Sequence, residues 1–246
     1  MDFDSDGIRL HYELHGTDGG APVVLVHGYA SDYTLNWVGT RWQETLTGAG
    51  FRVIGLDCRG HGRSEKPHDP AAYALEVMAC DVARLLDHVE VDVAGYIGYS
   101  MGSRIGLQAM LDIPDRLSRV VLGGAGWSGA FQQAEEIARA MRGGTTDSAV
   151  AKTFYQFASA RPSNDLEALA ACILGPQPKP DLARLHAITN PVLVVNGDQD
   201  DIVDEVDRLV ESIPAARLVT VAGRNHMSTV PAREFKQAAL SFLGGE

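Results

Sequence analysis

Residues 95–110 read GYIGYSMGSRIGLQAM and place one serine, Ser100, between Gly98 and Gly102. An apolar, strand-like run ends at Gly98, and a helix-like pattern begins at Met101. If a strand turned directly into a helix at Ser100, glycines on both sides would let the two elements approach closely. The pattern G-x-S-x-G therefore predicts either an ordinary tight turn or an exposed nucleophile on a strained turn.

Short, nearly continuous apolar runs recur on both sides of this turn, and helical patterns separate them. Such runs suit parallel strands that are buried on both faces. Strands that alternate with helices predict a doubly wound, mostly parallel sheet of the α/β class. The clearest runs are PVVLVHG (22–28), FRVIGLD (51–57), SRVVLGG (118–124), PVLVVNGD (191–198) and ARLVTVAG (216–223), with the alternating IRLHYELHG (8–16) at one edge.

Residues 126–188 interrupt this alternation, because they contain no convincing strand. Three helical patterns occupy the region instead, and a proline-rich stretch, GPQPKP, follows them. We therefore expect a core formed by residues 1–125 and 189–246, and a small helical insertion, called here the cap segment, at 126–188. The three patterns are AFQQAEEIARAMR (130–142), SAVAKTFYQFASA (148–160) and DLEALAACIL (165–174).

Composition excludes several classes of partner for these 246 residues. A formal net charge of −11 argues against nucleic acid or an anionic membrane as the main partner. The first residues lack the pattern of a secretory signal, and no apolar run approaches the roughly 18 residues of a membrane helix. Cys58, Cys80 and Cys172 are odd in number and scattered. They predict reduced thiols and a cytoplasmic location.

A serine nucleophile needs a base to take its proton and an acid to orient that base. His226 lies in VAGRNHMSTVP (221–231), after the last apolar strand and before the last helical pattern, and it is the best candidate for the base. His27, which ends a strand at a glycine turn, is more typical of a structural hydrogen-bonding group. The acid must come from the three carboxylates that follow one buried strand, Asp198, Asp200 and Asp201.

Local chemistry separates these three carboxylates in part. Asp198 follows the glycine that ends the strand, so its side chain is expected to bond nearby turn backbone. Asp201 precedes an apolar pair and would suit the start of a helix, where an acid is favoured. An oxyanion needs donors already in place, and the backbone N–H groups of Met101 and Tyr29 are the candidates.

Five motifs in this order resemble the α/β-hydrolase fold family of serine hydrolases, and the resemblance implies a mostly parallel sheet of eight strands. The resemblance implies a Ser100–His226–Asp200 triad, with the N–H groups of Tyr29 and Met101 as the oxyanion hole and no cofactor or metal. The motifs are VVLVHGYASDYTLNW (23–37), GLDCRGHGRSEKP (55–67), GYSMG (98–102), GDQDDIV (197–203) and GRNHMST (223–229).

The resemblance implies cleavage of a carboxylic ester, lactone or thioester through an acyl-enzyme. Carbon–carbon bond hydrolysis, enol-lactone opening and peracid formation use the same triad and remain alternatives, as does a ligand-binding receptor with slow turnover. Ser100 argues against epoxide hydrolase and dehalogenase activity, because those enzymes use an aspartate at this position. The G-x-G-x-x-G pattern at 124–129 does not favour a dinucleotide site, because helical patterns follow it.

Aromatic residues of the cap segment favour small to medium, uncharged acyl groups. Phe154 and Phe157 lie three residues apart and would share one helix face. Simple packing of the cap segment onto the core explains any single one of these residues equally well. The full set is Trp127, Phe131, Phe154, Tyr155 and Phe157.

Overall fold

The computed structural model describes residues 1–127, 133–178 and 181–245. Eight strands form one sheet in the order β1-β2-β4-β3-β5-β6-β7-β8. β2 runs opposite to the other seven of these strands, which are parallel to one another. The predicted eight-stranded, mostly parallel sheet is thereby confirmed. The strands are β1 (Asp2–Ser5), β2 (Ile8–His15), β3 (Pro22–Val26), β4 (Arg52–Leu56), β5 (Ala94–Tyr99), β6 (Leu117–Gly123), β7 (Val192–Gly197) and β8 (Ala216–Val221).

Helices cover both faces of the sheet. One apolar cluster includes the buried face of α2, and its stripe follows the 3.6-residue period. The other cluster joins the opposite face to α1 and α10. No described helix combines the length and apolar character needed to span a membrane. The core helices are α1 (Trp42–Gly48), α2 (Leu75–His88), α3 (Met101–Asp112), α8 (Val206–Glu211), α9 (His226–Thr229) and α10 (Arg233–Leu243), with short π and 3₁₀ turns at Thr34–Val38, Pro70–Tyr73 and Pro114–Arg116.

Among the described residues of the cap segment, four helices lie between β6 and β7. They follow the helical patterns of the sequence, and the first three residues of the pattern at 130–142 lie outside the described residues. Phe131 and the end of the 124–129 glycine pattern lie outside the described residues, as do the last two residues of GPQPKP. The domain boundaries at 125 and 189 stay a prediction. The helices are α4 (Ala134–Met141), α5 (Ala149–Ser159), α6 (Leu166–Ile173) and α7 (Leu182–His186).

All three cysteines are free thiols. Cys58 and Cys172 are buried, and burial raises the pKa of both thiols well above the ordinary range. They therefore stay protonated at neutral pH and act as small apolar core groups.

Candidate active site

Ser100 occupies the turn between β5 and α3, and its backbone is strained. Its φ of 52° and ψ of −109° lie in a region that residues with a Cβ rarely adopt. Backbone hydrogen bonds hold the turn in this shape. Ser100 N donates to Gly123 O at 2.8 Å, and Ser100 O accepts from Ser103 N at 2.9 Å. The strand therefore passes into the helix at Ser100 with no intervening loop.

The two flanking glycines are required by close backbone contacts. A Cβ on Gly98 would lie 2.3 Å from Gly102 O, and a Cβ on Gly102 would lie 2.0 Å from Val26 O. Neither contact can be relieved by moving a side chain, because the opposing atom belongs to the backbone. The close approach that the sequence predicted between strand and helix is confirmed.

His226 and Asp200 are joined by a buried hydrogen bond. His226 Nδ1 donates to Asp200 Oδ2 at 2.7 Å. The Asp200 side chain is 0% exposed and that of His226 is 6% exposed. The other carboxylate oxygen, Oδ1, accepts from the N–H of Ile202 at 3.1 Å. The carboxylate is thus fixed by its own loop, and it orients the imidazole so that Nε2 is left for other chemistry.

The other two carboxylates of this loop occupy different environments. Asp198 is exposed, and its Oδ1 accepts from Gly223 N at 2.7 Å, across to the turn after β8. Asp201 is exposed at the wall of a cavity. The expectation that Asp201 begins a helix is wrong, because α8 begins only at Val206. The bond from Ile202 N to Asp200 makes a side-chain-capped turn there instead.

His226 is the first residue of the short helix α9, and not a loop residue as its sequence context indicated. Asn225 caps this helix, and its side chain accepts from Ser228 N. The hydroxyl of Tyr99 donates to the backbone oxygen of His226, and the two rings lie 5.3 Å apart. A Cβ on Gly124 would lie 2.9 Å from His226 Cε1, so a glycine there makes room for the ring.

The loop at residues 27–33, called here the Gly28 loop, runs beside the serine. A Cβ on Gly28 would lie 3.5 Å from Ser100 Cβ. The N–H of Gly28 donates to Asn36 Oδ1 at 3.1 Å, and that of Ala30 donates to His61 Nε2 at 3.1 Å. Between these two bonded amides lies Tyr29, a residue of the cavity wall.

Met101 is the first residue of α3, on the other side of the serine. The N–H groups of the first helical turn have no acceptor within the helix. The N–H groups of Ser103 and Arg104 bond to Ser100 O, which leaves those of Met101 and Gly102 at the open end of the helix. The positive end of the helix dipole lies there as well.

Two buried histidines connect the Gly28 loop to the turn after β4. His27 Nδ1 donates to Gly28 O at 2.8 Å, and its Nε2 accepts from Cys58 N at 3.0 Å. His61 Nδ1 donates to Arg59 O at 2.9 Å. Burial lowers the pKa of His61 to about 3 and also lowers the pKa of His27. Both rings are neutral at pH 7, which their acceptor nitrogens require, and His27 has the structural hydrogen-bonding role that the sequence predicted.

These two histidines predict a loss of stability in acid. In the unfolded chain, His61 becomes protonated as the pH falls below its ordinary pKa of about 6.5. In the folded protein, where the pKa is about 3, it becomes protonated only near pH 3. Stability is therefore unaffected by His61 above about pH 6.5 and falls as the pH drops from 6.5 toward 3. At pH 5 the loss from His61 is about 2 kcal/mol, from 1.5 pH units at 1.36 kcal/mol each.

Urea denaturation at pH 7 and pH 5 tests this prediction. His61→Gln is expected to show a smaller difference between the two pH values than the parent. His186→Gln, at an exposed position of α7, is the control and should keep the parental difference. Equal pH dependence in the parent and His61→Gln would contradict the prediction.

A cavity of about 390 Å³ opens beside Ser100. Ser100 and His226 both line it, and no hydrogen bond joins their side chains among the described residues. Such contacts often tighten only when a substrate binds. The other lining residues are mainly apolar. They come from the Gly28 loop, the turn Thr34–Val38, α5, the loop after β7, and α9 with the residue after it; they include Leu35, Val150, Phe154, Phe157, Ile202, Met227 and Val230.

The aromatic residues that the sequence singled out in the cap segment have different surroundings in the structure. Phe154 and Phe157 lie on the face of α5 that lines the cavity. Tyr155 is 37% exposed, and Trp127 packs under the guanidinium of Arg208, 4.3 Å from its ring centroid. Neither of these two lines the cavity as described.

A sequence profile of the alpha/beta hydrolase fold matches residues 21–173, which include β3 to β6, Ser100 and much of the cap segment. The chain belongs to the α/β-hydrolase fold family. Its sheet order and the strand–serine–helix turn agree with that assignment.

Relatives of this α/β hydrolase include proteins named for several activities. It is 30% identical to the carbamate-hydrolase candidate RutD of Caulobacter sp. strain K31, over 96% of each chain. A solved hydrolase from Pseudomonas aeruginosa is 28% identical, with a TM-score of 0.84 over 100% of this chain and 98% of that one. A thermophilic esterase from Thermogutta terrifontis is 28% identical, with a TM-score of 0.79 over 99% and 96%. Other curated relatives, 39% and 31% identical, are matched over only 43% and 41% of their own length, so the chain spans less than half of those proteins.

Sequence reasoning missed two residues that hold the histidine of this α/β hydrolase in place. Tyr99 was treated only as a variable position between Gly98 and Ser100, yet its hydroxyl bonds the backbone of His226. Gly124 was considered only as part of the G-x-G-x-x-G dinucleotide pattern, although it makes room for the histidine ring. A glycine directly after a buried strand was the available sequence signal for Gly124, and in the structure its φ is +60°. No local signal marked Tyr99, because its partner is 127 residues away.

Proposed function

We propose that this chain is a serine hydrolase that cleaves small to medium carboxylic esters, lactones or thioesters through an acyl-enzyme. The observation that carries the proposal is the buried hydrogen bond of 2.7 Å from His226 to Asp200, made where His226 and Ser100 line the same cavity. A carboxylate, an imidazole and a serine on a strained turn are the parts that acyl transfer to serine requires.

In the proposed mechanism, His226 Nε2 takes the proton from Ser100 Oγ as the oxygen attacks the substrate carbonyl. The N–H groups of Tyr29 and Met101 stabilise the oxyanion that forms. His226 then gives its proton to the departing alcohol, and a water molecule repeats the cycle on the acyl-enzyme. Asp200 keeps Nδ1 protonated and stabilises the cationic form of the imidazole.

The size and lining of the cavity support a small or medium substrate. A volume of about 390 Å³ lies near the lower end of the usual range for ligand sites, roughly 300–1,000 Å³. Phe154 and Phe157 narrow the side formed by the cap segment, and Asp201 adds a negative charge at the wall. An uncharged, short acyl group fits these walls better than an anionic one.

Named relatives support ester chemistry in part. The Thermogutta terrifontis relative is an esterase, and at 28% identity it covers nearly the whole chain. Proteins named as epoxide hydrolases also match, at 33% identity over 46–48% of this chain. Ser100 favours an acyl-enzyme mechanism over epoxide hydrolysis, because it occupies the position at which epoxide hydrolases use an aspartate. The cytoplasmic location and the alternative triad chemistries stay predictions.

A series of p-nitrophenyl esters tests the proposed substrate class. We expect kcat/KM to be highest from acetate to hexanoate and to fall by at least tenfold at laurate, because a twelve-carbon chain exceeds the cavity. Rates with Ser100→Ala supply the background to subtract. A laurate rate above the butyrate rate would contradict the proposal on size, and fast turnover of an ester with an anionic acyl group would contradict it on charge.

A further inference from the structure

The Gly28 loop is attached to the cap segment through its side chains and its backbone. The hydroxyl of Tyr29 donates to the backbone oxygen of Leu169, in α6, at 2.8 Å. The Tyr29 ring meets Phe154 of α5 edge to face, with centroids 5.6 Å apart. Asn164, between these helices, donates from Nδ2 to Ala30 O at 3.4 Å. The loop that carries the proposed oxyanion donor is therefore in contact with two helices of the cap segment, α5 and α6.

An ion pair adds a charged link between the same two regions. Arg161, which follows α5, binds Asp32 of the Gly28 loop through Nη2 and Oδ2. The Asp32 side chain is 10% exposed and that of Arg161 is 25% exposed. The second oxygen of Asp32 accepts from Leu35 N at 2.7 Å, at the start of the turn Thr34–Val38. Because the pair is largely shielded from water, its attraction is screened less than that of a surface pair.

The ion pair between Arg161 and Asp32 helps to fix the position of the backbone N–H of Tyr29. On its core side, the loop is held at Gly28 by Asn36 and at Ala30 by His61. On its outer side, Asp32 and the Tyr29 side chain are held by the cap segment. An oxyanion donor acts only when it lies about 2.7–3.1 Å from the developing charge, so small shifts of this loop affect the transition state more than substrate binding.

We infer that Arg161 is a positioning residue for the oxyanion hole, acting through Asp32 on the backbone N–H of Tyr29. The cap segment thus contributes to kcat as well as covering the substrate. The inference rests on the proposed serine-hydrolase function, because it needs Tyr29 N–H to be an oxyanion donor.

Arg161→Ala and Arg161→Lys test the inference, with p-nitrophenyl butyrate as substrate. A butyl trifluoromethyl ketone serves as a second probe, because its adduct with serine places an oxyanion in the hole. Arg161→Ala is expected to lower kcat about tenfold, less than the 10²–10³-fold seen when a donor is removed outright. KM should stay within about twofold, and the ketone Ki should rise by the same factor as kcat falls. Arg161→Lys should restore most of both.

Arg142→Ala is the matched control. Arg142 also pairs with a carboxylate, Glu167, but that pair lies within the cap segment and is 43% and 44% exposed. It does not reach the Gly28 loop, so kcat and ketone Ki should both stay within about twofold of the parent. A loss of kcat as large as that of Arg161→Ala would mean that general loosening of the cap segment, and not the link to Asp32, is responsible.

Removing Arg161 alone leaves the nearly buried charge of Asp32 without its partner, which can destabilise the fold. The double variant Arg161→Ala/Asp32→Asn removes that charge as well and so separates an effect on kcat from unfolding. The asparagine oxygen keeps an acceptor for Leu35 N. We expect a melting temperature near that of the parent and a kcat that is still about tenfold lower. Parental kcat in the double variant, or a raised KM with unchanged kcat and ketone Ki, would overturn the inference.

These outcomes separate the inference from the proposed function. If esterase activity survives Ser100→Ala, the proposed function is wrong, and the inference is overturned with it. If activity depends on Ser100 but kcat and the ketone Ki are unchanged in the Arg161 variants, only the inference is overturned.

Discussion

Ser100→Ala is expected to lower kcat for p-nitrophenyl butyrate by about 10⁶-fold, the scale known for loss of the nucleophile in a serine protease. The residual rate would come from binding and the oxyanion donors alone. The fold should survive, because the Ser100 hydroxyl makes no hydrogen bond to other described residues. Thermal melting within a few degrees of the parent, together with the lost activity, is the expected result.

A fluorophosphonate probe gives an independent measurement of the same prediction. It should label one peptide, containing Ser100, because among the serines that the structure describes only Ser100 combines the strained turn with access to His226. Ser31 is the internal control, since it lines the same cavity without that turn. Labelling at Ser31, or full esterase activity in Ser100→Ala, would contradict the assignment of the nucleophile.

Asp200→Asn is expected to lower kcat by about 10⁴-fold, as loss of the orienting carboxylate does in serine proteases. An amide can donate to Nδ1 of His226, which would place the imidazole proton on Nε2, the nitrogen that must accept it from Ser100. The melting temperature should also fall, because Asp200 is buried and bonded to the backbone of its own loop.

Asp198→Asn is the matched control for this prediction. Asp198 is an exposed carboxylate of the same loop, and among the described residues it forms no hydrogen bond or ion pair with His226. Asp198→Asn weakens the bond to Gly223 N and should lower the unfolding free energy by about 1 kcal/mol, with kcat within about threefold of the parent. If Asp198→Asn loses kcat and Asp200→Asn keeps it, the triad must be redrawn through Asp198.

Much of the fold was predictable from local sequence because buried parallel strands constrain their own composition. The runs at β3, β4, β5, β6 and β7 are almost entirely apolar and match the observed strands closely. The four residues of β1 were not found, because two buried positions in so short a strand carry too little periodicity. The sequence patterns did not predict α1, α8 and α9 for the same reason, because these helices are too short to show a clear period.

The parts of the candidate site that depend on neighbouring residues in the chain could be predicted from the sequence. Glycines at a spacing of two around Ser100 already required a close approach of strand and helix. The place of His226, after β8 and before α10, followed from the order of the elements. Its assignment to a loop was wrong. The Asn225 cap three residues before Ser228 was a local signal for the start of α9, whereas the bond from Tyr99 to His226 joins residues 127 apart.

The sequence by itself determined the order of strands and helices, the strained serine turn and the group of three carboxylates from which one would meet the histidine. These features depend on local periodicity and on glycine at fixed spacing. Only the tertiary structure decided that Asp200 bonds His226 and that Arg161 binds Asp32, 129 residues away. The physical reason is that such contacts depend on how two distant loops pack, and neighbouring carboxylates look alike until that packing buries one of them.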